Sequence, residues 1–242
     1  MITREEQIQR EYYKATVDHY DGMHLHENDD HFTALRYVSA LLNALQISSV
    51  LDVGCGTGRG IHFLQREHPE LDVYGIDPGF SLLNAARKKG IDSGRIVSGS
   101  GNELPFVDKS FDAVAEFGIL HHVKHPERVV SEMLRVAKKA VFISDNNIFG
   151  QGSLAGRILK LLLHGVGAWR AVKYIQTGGK EYSVSEGDGL YYSYSVYFQY
   201  GMLSKWSDRI MSIPVSQHDR KYTLRSPLIA AQTVLLCGLR DG

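Results

Sequence analysis

Val50-Leu51-Asp52-Val53-Gly54-Cys55-Gly56-Thr57-Gly58 decides how this chain is read. Val50 to Val53 is a short apolar run of the kind that forms a buried parallel strand. Gly54, Gly56 and Gly58 then remove every second side chain from the turn that follows. Such a turn takes positive φ angles without strain and lets a ligand lie against bare backbone. Arg59 to Glu67 reads as a helix, so its first N–H groups face the same ligand. The spacing excludes a dinucleotide fingerprint, which needs Gly-x-Gly-x-x-Gly. The sixth position is Arg59 counted from Gly54 and Ile61 counted from Gly56.

A second strand, Leu71 to Ile76, ends in an acid, Asp77, followed by Pro78. A carboxylate at that place can accept both hydroxyls of a ribose. With Asp52 before the glycines and Asp77 after the second strand, the chain resembles the class I S-adenosylmethionine-dependent methyltransferases. Asn102-Glu103-Leu104-Pro105-Phe106-Val107-Asp108-Lys109-Ser110-Phe111-Asp112 is similar to a third signature of that family. Ile119-Leu120-His121-His122-Val123 is similar to the segment after strand four in its small-molecule branch. The likeness covers roughly residues 35 to 147.

The resemblance implies a doubly wound α/β fold, with a mostly parallel seven-stranded, Rossmann-like sheet. It implies S-adenosyl-L-methionine as cofactor and S-adenosyl-L-homocysteine as product. The implied cofactor residues are Asp52, Gly54, Cys55, Gly56, Gly58, Asp77, Pro78, Ser100, Gly101, Asn102 and Glu116. One of these departs from the family. Ser100 stands where an Asp usually accepts from the adenine amino group, and a hydroxyl accepts without charge assistance. The Asn102 carbonyl is the alternative acceptor.

The chain has 242 residues, enough for one large α/β domain with a cap. Lys+Arg and Asp+Glu both number 27, so no basic excess argues for nucleic acid. DNA is not expected as a partner for a second reason. Glu116-Phe117-Gly118-Ile119 stands where amino-methylating DNA enzymes carry Asp/Asn-Pro-Pro-Tyr. Cys55 and Cys237 make no disulfide framework. The N-terminus lacks a secretory apolar core, and no apolar run is long enough to span a bilayer, so a cytoplasmic protein is expected.

Residues 4 to 20 read as a helix, 21 to 30 as a polar loop, and 32 to 45 as a helix that packs on the sheet. Strands are expected near 50–54, 72–77, 95–99, 111–117 and 140–145. Helices are expected near 58–68, 79–89 and 126–138. This alternation gives a parallel sheet covered on both faces. Met202 to Ile210 reads as the last helix, with closing strands at 213–215 and 231–239. The expected organisation is an N-terminal helical cap (1–34), a cofactor-binding core (35–150), an inserted helical and aromatic substrate cap (151–200) and the rest of the core sheet (201–242).

Methyl transfer from a sulfonium is an in-line displacement with a neutral leaving group. Positioning in a dry pocket supplies on the order of 7–11 kcal/mol, so no catalytic triad is required. His121 and His122 are the candidate bases, since a near-neutral imidazole accepts a proton from a hydroxyl or carbon acid. The competing reading packs one beneath the cofactor and sets the other on a backbone carbonyl. Asp145, with Asn146 and Asn147, either orients the acceptor or forms a turn out of the strand. His121-His122-x-x-His125 suggests metal only weakly. Just one pair is three apart, Pro126 follows and no Cys is near, so no metal is assigned.

Between 151 and 180 there is no acidic residue. Leu154, Ile158, Leu161, Leu162, Trp169 and Val172 recur near helical spacing among Arg157, Lys160, Arg170 and Lys173. The segment reads as a lid with its apolar face over the pocket. A peripheral membrane or anionic-substrate contact through 153–176 is the alternative. Tyr182, Tyr191, Tyr192, Tyr194, Tyr197, Phe198 and Tyr200 form an aromatic cluster behind a Glu186-Gly187-Asp188-Gly189 turn. N-terminal Tyr12, His19 and Tyr20 are expected to close over the cofactor, and the histidines at 24, 26 and 31 to lie in a solvated loop. The leading function is methyl transfer to a small-molecule acceptor, at oxygen. A catalytically inactive cofactor-binding subunit and an RNA or protein methyltransferase are the alternatives.

Overall fold

A computed structural model describes residues 4–24, 29–216 and 226–241. His26 lies outside the described residues, and His24 is described by its backbone alone. The chain order begins α1 (Arg4–Thr16), α2 (Tyr20–His24), α3 (Asp30–Ala44), β1 (Ser49–Val53), α4 (Arg59–Glu67), β2 (Asp72–Asp77), α5 (Phe80–Lys88) and β3 (Ile96–Ser98). It continues β4 (Phe111–Phe117), α6 (Pro126–Val136), β5 (Ala137–Asn146), α7 (Leu154–Gly165), α8 (Trp169–Gln176), β6 (Tyr182–Ser185) and β7 (Gly189–Tyr192). The last elements are α9 (Tyr200–Trp206), β8 (Arg209–Pro214), α10 (Pro227–Ala230) and β9 (Thr233–Leu239).

Seven strands form one sheet in the order β3-β2-β1-β4-β5-β9-β8. The first five are parallel, and β9 runs antiparallel between β5 and β8. Successive side chains alternate faces. Val50, Phe142 and Leu235 join one core with Leu35 and Val38 of α3 and Ile61 and Leu64 of α4. Leu51, Val141 and Leu236 join the other with Val130 and Met133 of α6 and Leu203 of α9. Both faces are buried, as the near-continuous apolar strands require.

Local chemistry sets the helix ends. Asp29 caps α3 by accepting from the Phe32 N–H at 2.6 Å. Pro126 opens α6, where its missing N–H costs nothing. Arg135 at the other end of α6 donates to the Leu104 and Phe106 carbonyls, and Glu132 accepts from the Leu104 N–H at 2.8 Å. The Leu104-Pro105-Phe106 turn is thereby clamped between β3 and β4.

One expected helix is shorter than its sequence suggests. α9 stops at Trp206, and Arg209 already pairs with Leu239. Ile210, Met211 and Ile213 gain a whole ladder against β9, which outweighs their weak local helical preference. The closing strand accordingly begins at Arg209 rather than Ile213.

The sheet carries the site on its carboxyl edge, where β1 turns sharply into α4. Gly58 there has φ +85°, and a Cβ would meet Ile91 Cδ1 at 1.9 Å. Gly58→Ala is expected to lower stability by about 1–3 kcal/mol, from left-handed strain plus overpacking. The shift of the urea midpoint measures it.

Candidate functional site

The glycine turn is held from β2. Gly54 and Cys55 donate to the Ile76 carbonyl at 2.7 and 3.2 Å. Asp77 Oδ2 accepts from the Gly56 N–H at 3.0 Å, and Oδ1 accepts from the Gly79 N–H at 2.6 Å. Gly56 has φ +53° and nothing within 4 Å of where a Cβ would sit, so bare backbone faces open space. The Cys55 thiol lies 2.7 Å from a Cβ built on Gly75, turned into the sheet, and only its backbone belongs to the turn. The Asp52 carboxylate presses against Gly60 at the start of α4. Burial raises Asp52 to about 7 and Asp77 to about 6, the latter against the opposing N–H bonds from Gly79 and Gly56.

A cavity of about 130 Å³ opens beside this turn. Gly54, Gly56 and Asp77 line one end, and Gly118, His121, His122 and Asp188 the other. Tyr12, Tyr13 and Tyr20 of α1 and α2 line it as well, whereas His19 is exposed. α2 is fastened to the glycine turn by Asp21, which accepts from Thr57 Oγ1 at 2.7 Å and pairs with Lys89. α1 is fastened to β7 by Gln9, whose Oε1 accepts from the Leu190 N–H at 2.7 Å.

The far end of the cavity is polar. His121 and His122 sit on a single 3₁₀ turn after β4. His121 Nδ1 lies 2.7 Å from Asp145 Oδ1, and His122 Nδ1 lies 2.6 Å from the Leu190 carbonyl. Asp145 Oδ2 also accepts from the Leu120 and His121 N–H groups at 2.8 and 3.2 Å. Burial opposes charge on His121, but the carboxylates of Asp145 and Asp188 outweigh it and raise the imidazole to about 10. Burial and the neighbouring His121 charge lower His122 to about 4. Burial likewise opposes charge on Asp145, yet His121 keeps it below the usual carboxylate range. The two rings therefore carry opposite protonation states at neutral pH.

Similarity to known proteins covers this region of the chain. The family described as "Methyltransferase domain" matches residues 51–143. Residues 51–143 thus carry a methyltransferase domain, on the fold of the class I S-adenosylmethionine-dependent methyltransferases. The demethylmenaquinone methyltransferase of Thermotoga maritima is 32% identical over 102 residues, 42% of this chain and 44% of that protein. That of Geobacillus kaustophilus is 31% identical over 149 residues, 56% of this chain and 60% of that protein. The chain thus spans about half the length of these curated relatives. Magnesium protoporphyrin IX methyltransferase of Synechocystis, solved with bound SAH, gives a TM-score of 0.63 at 16% identity, over 98% of this chain and 100% of that one. At that identity the likeness is one of fold.

Structural neighbours of this fold include chains solved with bound S-adenosyl-L-methionine or S-adenosyl-L-homocysteine. Asp77 retains acceptor capacity, since each carboxylate oxygen has a second lone pair. Ser100 Oγ accepts from the Asn102 N–H at 3.2 Å, whereas Asn102 Oδ1 is buried with no hydrogen-bond partner among the described residues. Gly101 packs between Val53 and Val129, and Pro78 is exposed at the entry to α5. Glu116 is fully buried below the cavity, with Oε2 accepting from the Ile119 N–H at 3.0 Å. Burial and the nearby Asp145 hold it well above the usual carboxylate range, so it keeps its proton.

Two groups at the cavity were not singled out by the sequence reading. His31 is not in a solvated loop. It lines the cavity with Nδ1 3.0 Å from Ser144 Oγ, and its Nε2 occupies the place of a Gly118 side chain. Gly118 at φ +82° was the available signal. Asp188 arrives from the β6–β7 turn, remote in sequence. His125, by contrast, is exposed and pairs with Glu127 at 3.1 Å, away from the cavity.

Asp77 has a testable consequence. Its carboxylate accepts best when ionised, so affinity for S-adenosyl-L-methionine is expected to fall as pH drops through about 6 and to be full above about 7. Titration calorimetry across that range measures it, and Asp77→Asn is expected to flatten the profile.

Proposed function

We propose that this chain transfers the methyl group of S-adenosyl-L-methionine to an oxygen of an amphiphilic small molecule. The carrying observation is the single cavity that joins the Gly56–Asp77 end to the His121–His122 end. The cofactor supplies a methyl group on a sulfonium. The bare backbone at Gly54 and Gly56 would cradle its methionine moiety, Asp77 would accept its ribose hydroxyls, and Asn102 Oδ1 with Ser100 Oγ would accept from its adenine amino group. His121, held by Asp145, and His122, held by the Leu190 carbonyl, form the polar end that receives the acceptor's hydroxyl. The tyrosines of α1 and α2 exclude water from the reacting atoms, which strengthens every electrostatic contact inside.

In a radiolabelled methyl-transfer assay with hydroxylated lipid-soluble acceptors, His122→Ala is expected to lower kcat by about 10²-fold or more while cofactor affinity holds. In calorimetry Asp77→Ala is expected to abolish saturable cofactor binding. Full binding by that variant would sink the ribose assignment.

The amphiphilic character is read from α7 and α8. Arg157 is buried and donates to the Gly152 and Ile229 carbonyls at 2.8 and 2.8 Å. Lys160 donates to the Ile148 and Gln151 carbonyls at 2.6 and 2.8 Å. These cations therefore anchor the base of α7. Leu159 and Leu162 are 55% and 64% exposed, and Val166 and Ile175 78% and 79%. An apolar row of this extent marks an interaction surface, and the relatives named above act on demethylmenaquinone by their names. The occupant proposed is an anionic bilayer, since 151–180 holds no acid. Co-sedimentation with vesicles containing phosphatidylglycerol is expected for the native chain and lost in Leu159→Glu/Leu162→Glu. Native protein remaining in the supernatant would overturn the membrane reading.

A further inference from the structure

Three donor groups meet at the polar end of the cavity. His121 and His122 each have Nδ1 against an oxygen that only accepts, Asp145 Oδ1 in one case and the Leu190 carbonyl in the other. Both Nδ1 atoms therefore carry the hydrogen, and both Nε2 atoms are left to face outward. They face the same carboxylate. His121 Nε2 lies 3.5 Å from Asp188 Oδ2, and His122 Nε2 lies 3.5 Å from Asp188 Oδ1. The ligating atoms of the three residues all fall within 4.8 Å of one another.

These distances suit a cation between the groups. Charge-assisted N–H···O bonds run about 2.7–2.9 Å, so 3.5 Å is long for one. Donors placed about 2.0–2.1 Å from a tetrahedral metal lie roughly 3.3 Å apart, near the 3.5 Å between each histidine and an Asp188 oxygen. The surroundings complete the pattern. A metal-bound imidazole normally gives its other N–H to a carboxylate or a backbone carbonyl, and this pair has one of each.

We propose that His121 Nε2, His122 Nε2 and the Asp188 carboxylate form a binding site for a divalent transition-metal ion of the zinc class. Two imidazoles and one carboxylate suit zinc, cobalt or ferrous ions, whereas magnesium and calcium favour all-oxygen sites. The three residues line the cavity together with Gly118 and Ile119. The role of the ion rests on the proposed methyl transfer: a bound acceptor hydroxyl loses its proton more readily and is fixed toward the glycine turn. The site itself stands on side-chain geometry alone.

Chelator-stripped full-length protein, titrated with Zn²⁺ by calorimetry and with Co²⁺ by visible absorption, tests this. The expected result is saturation at one equivalent with ligand-field bands of a nitrogen–oxygen site. Asp188→Asn and His122→Ala are each expected to weaken binding about tenfold or more, with circular dichroism confirming that both fold. Native protein with no saturable uptake, or variants that titrate like it, would overturn the site. Cofactor affinity is measured on the same stripped sample. Cofactor binding kept without metal uptake removes the metal site alone, and metal uptake without cofactor binding removes the methyl-transfer reading alone.

Discussion

The pair of hydrogen bonds that Asp77 accepts from Gly56 and Gly79 is the contact on which the site depends. It ties the turn after β1 to the turn after β2, across the carboxyl edge of a parallel sheet. Parallel pairing aligns Val53 with Ile76 and Asp77 with Ser98, so the turns finish level with one another. A left-handed backbone at Gly54, Gly56 and Gly58 shapes the turn so that the Gly56 N–H meets the carboxylate, while Gly54 and Gly58 donate to the Ile76 and Cys55 carbonyls. Burying Asp77 costs solvation, and the two N–H bonds offset part of it.

The opposite end of the cavity is built on a different balance. Four ionisable groups, Glu116, His121, Asp145 and His31, are packed beside or beneath the cavity in a setting where unpaired charge is expensive. The resolution is one ion pair and two neutral neighbours: His121 with Asp145 as the pair, Glu116 protonated, and His31 held below its ordinary range by burial. His122 stays neutral for the same reason. Such opposed environments for adjacent titratable groups are characteristic of sites where protons or cations are exchanged.

The 151–180 segment shows how a helical pattern can be read with its faces reversed. Periodicity places Leu154, Ile158 and Leu162 on one stripe and Arg157 and Lys160 on another, and the default puts the apolar stripe inward. Here α7 sits on the carbonyl-rich ends of nearby turns, at Ile148, Gln151, Gly152 and Ile229, which accept from the cations. The apolar stripe is left outward, not over the cavity. Sequence spacing identifies two faces but not which environment each will meet.

By itself the sequence determined the strand–helix alternation, the glycine turn, the acid after β2 and the methyltransferase signatures, because these rest on local conformation and on spacing along the chain. The buried faces of the sheet followed from near-continuous apolar strands. Tertiary structure alone decided what converges on His121 and His122. Asp188 comes from the turn of the β6–β7 hairpin, His31 from the start of α3, and the Leu190 carbonyl from β7. Those contacts join residues distant in the chain, and no local propensity encodes them. The extent of α9 was likewise settled by β9, since a strand's ladder partner exists only once the chain has folded back on itself.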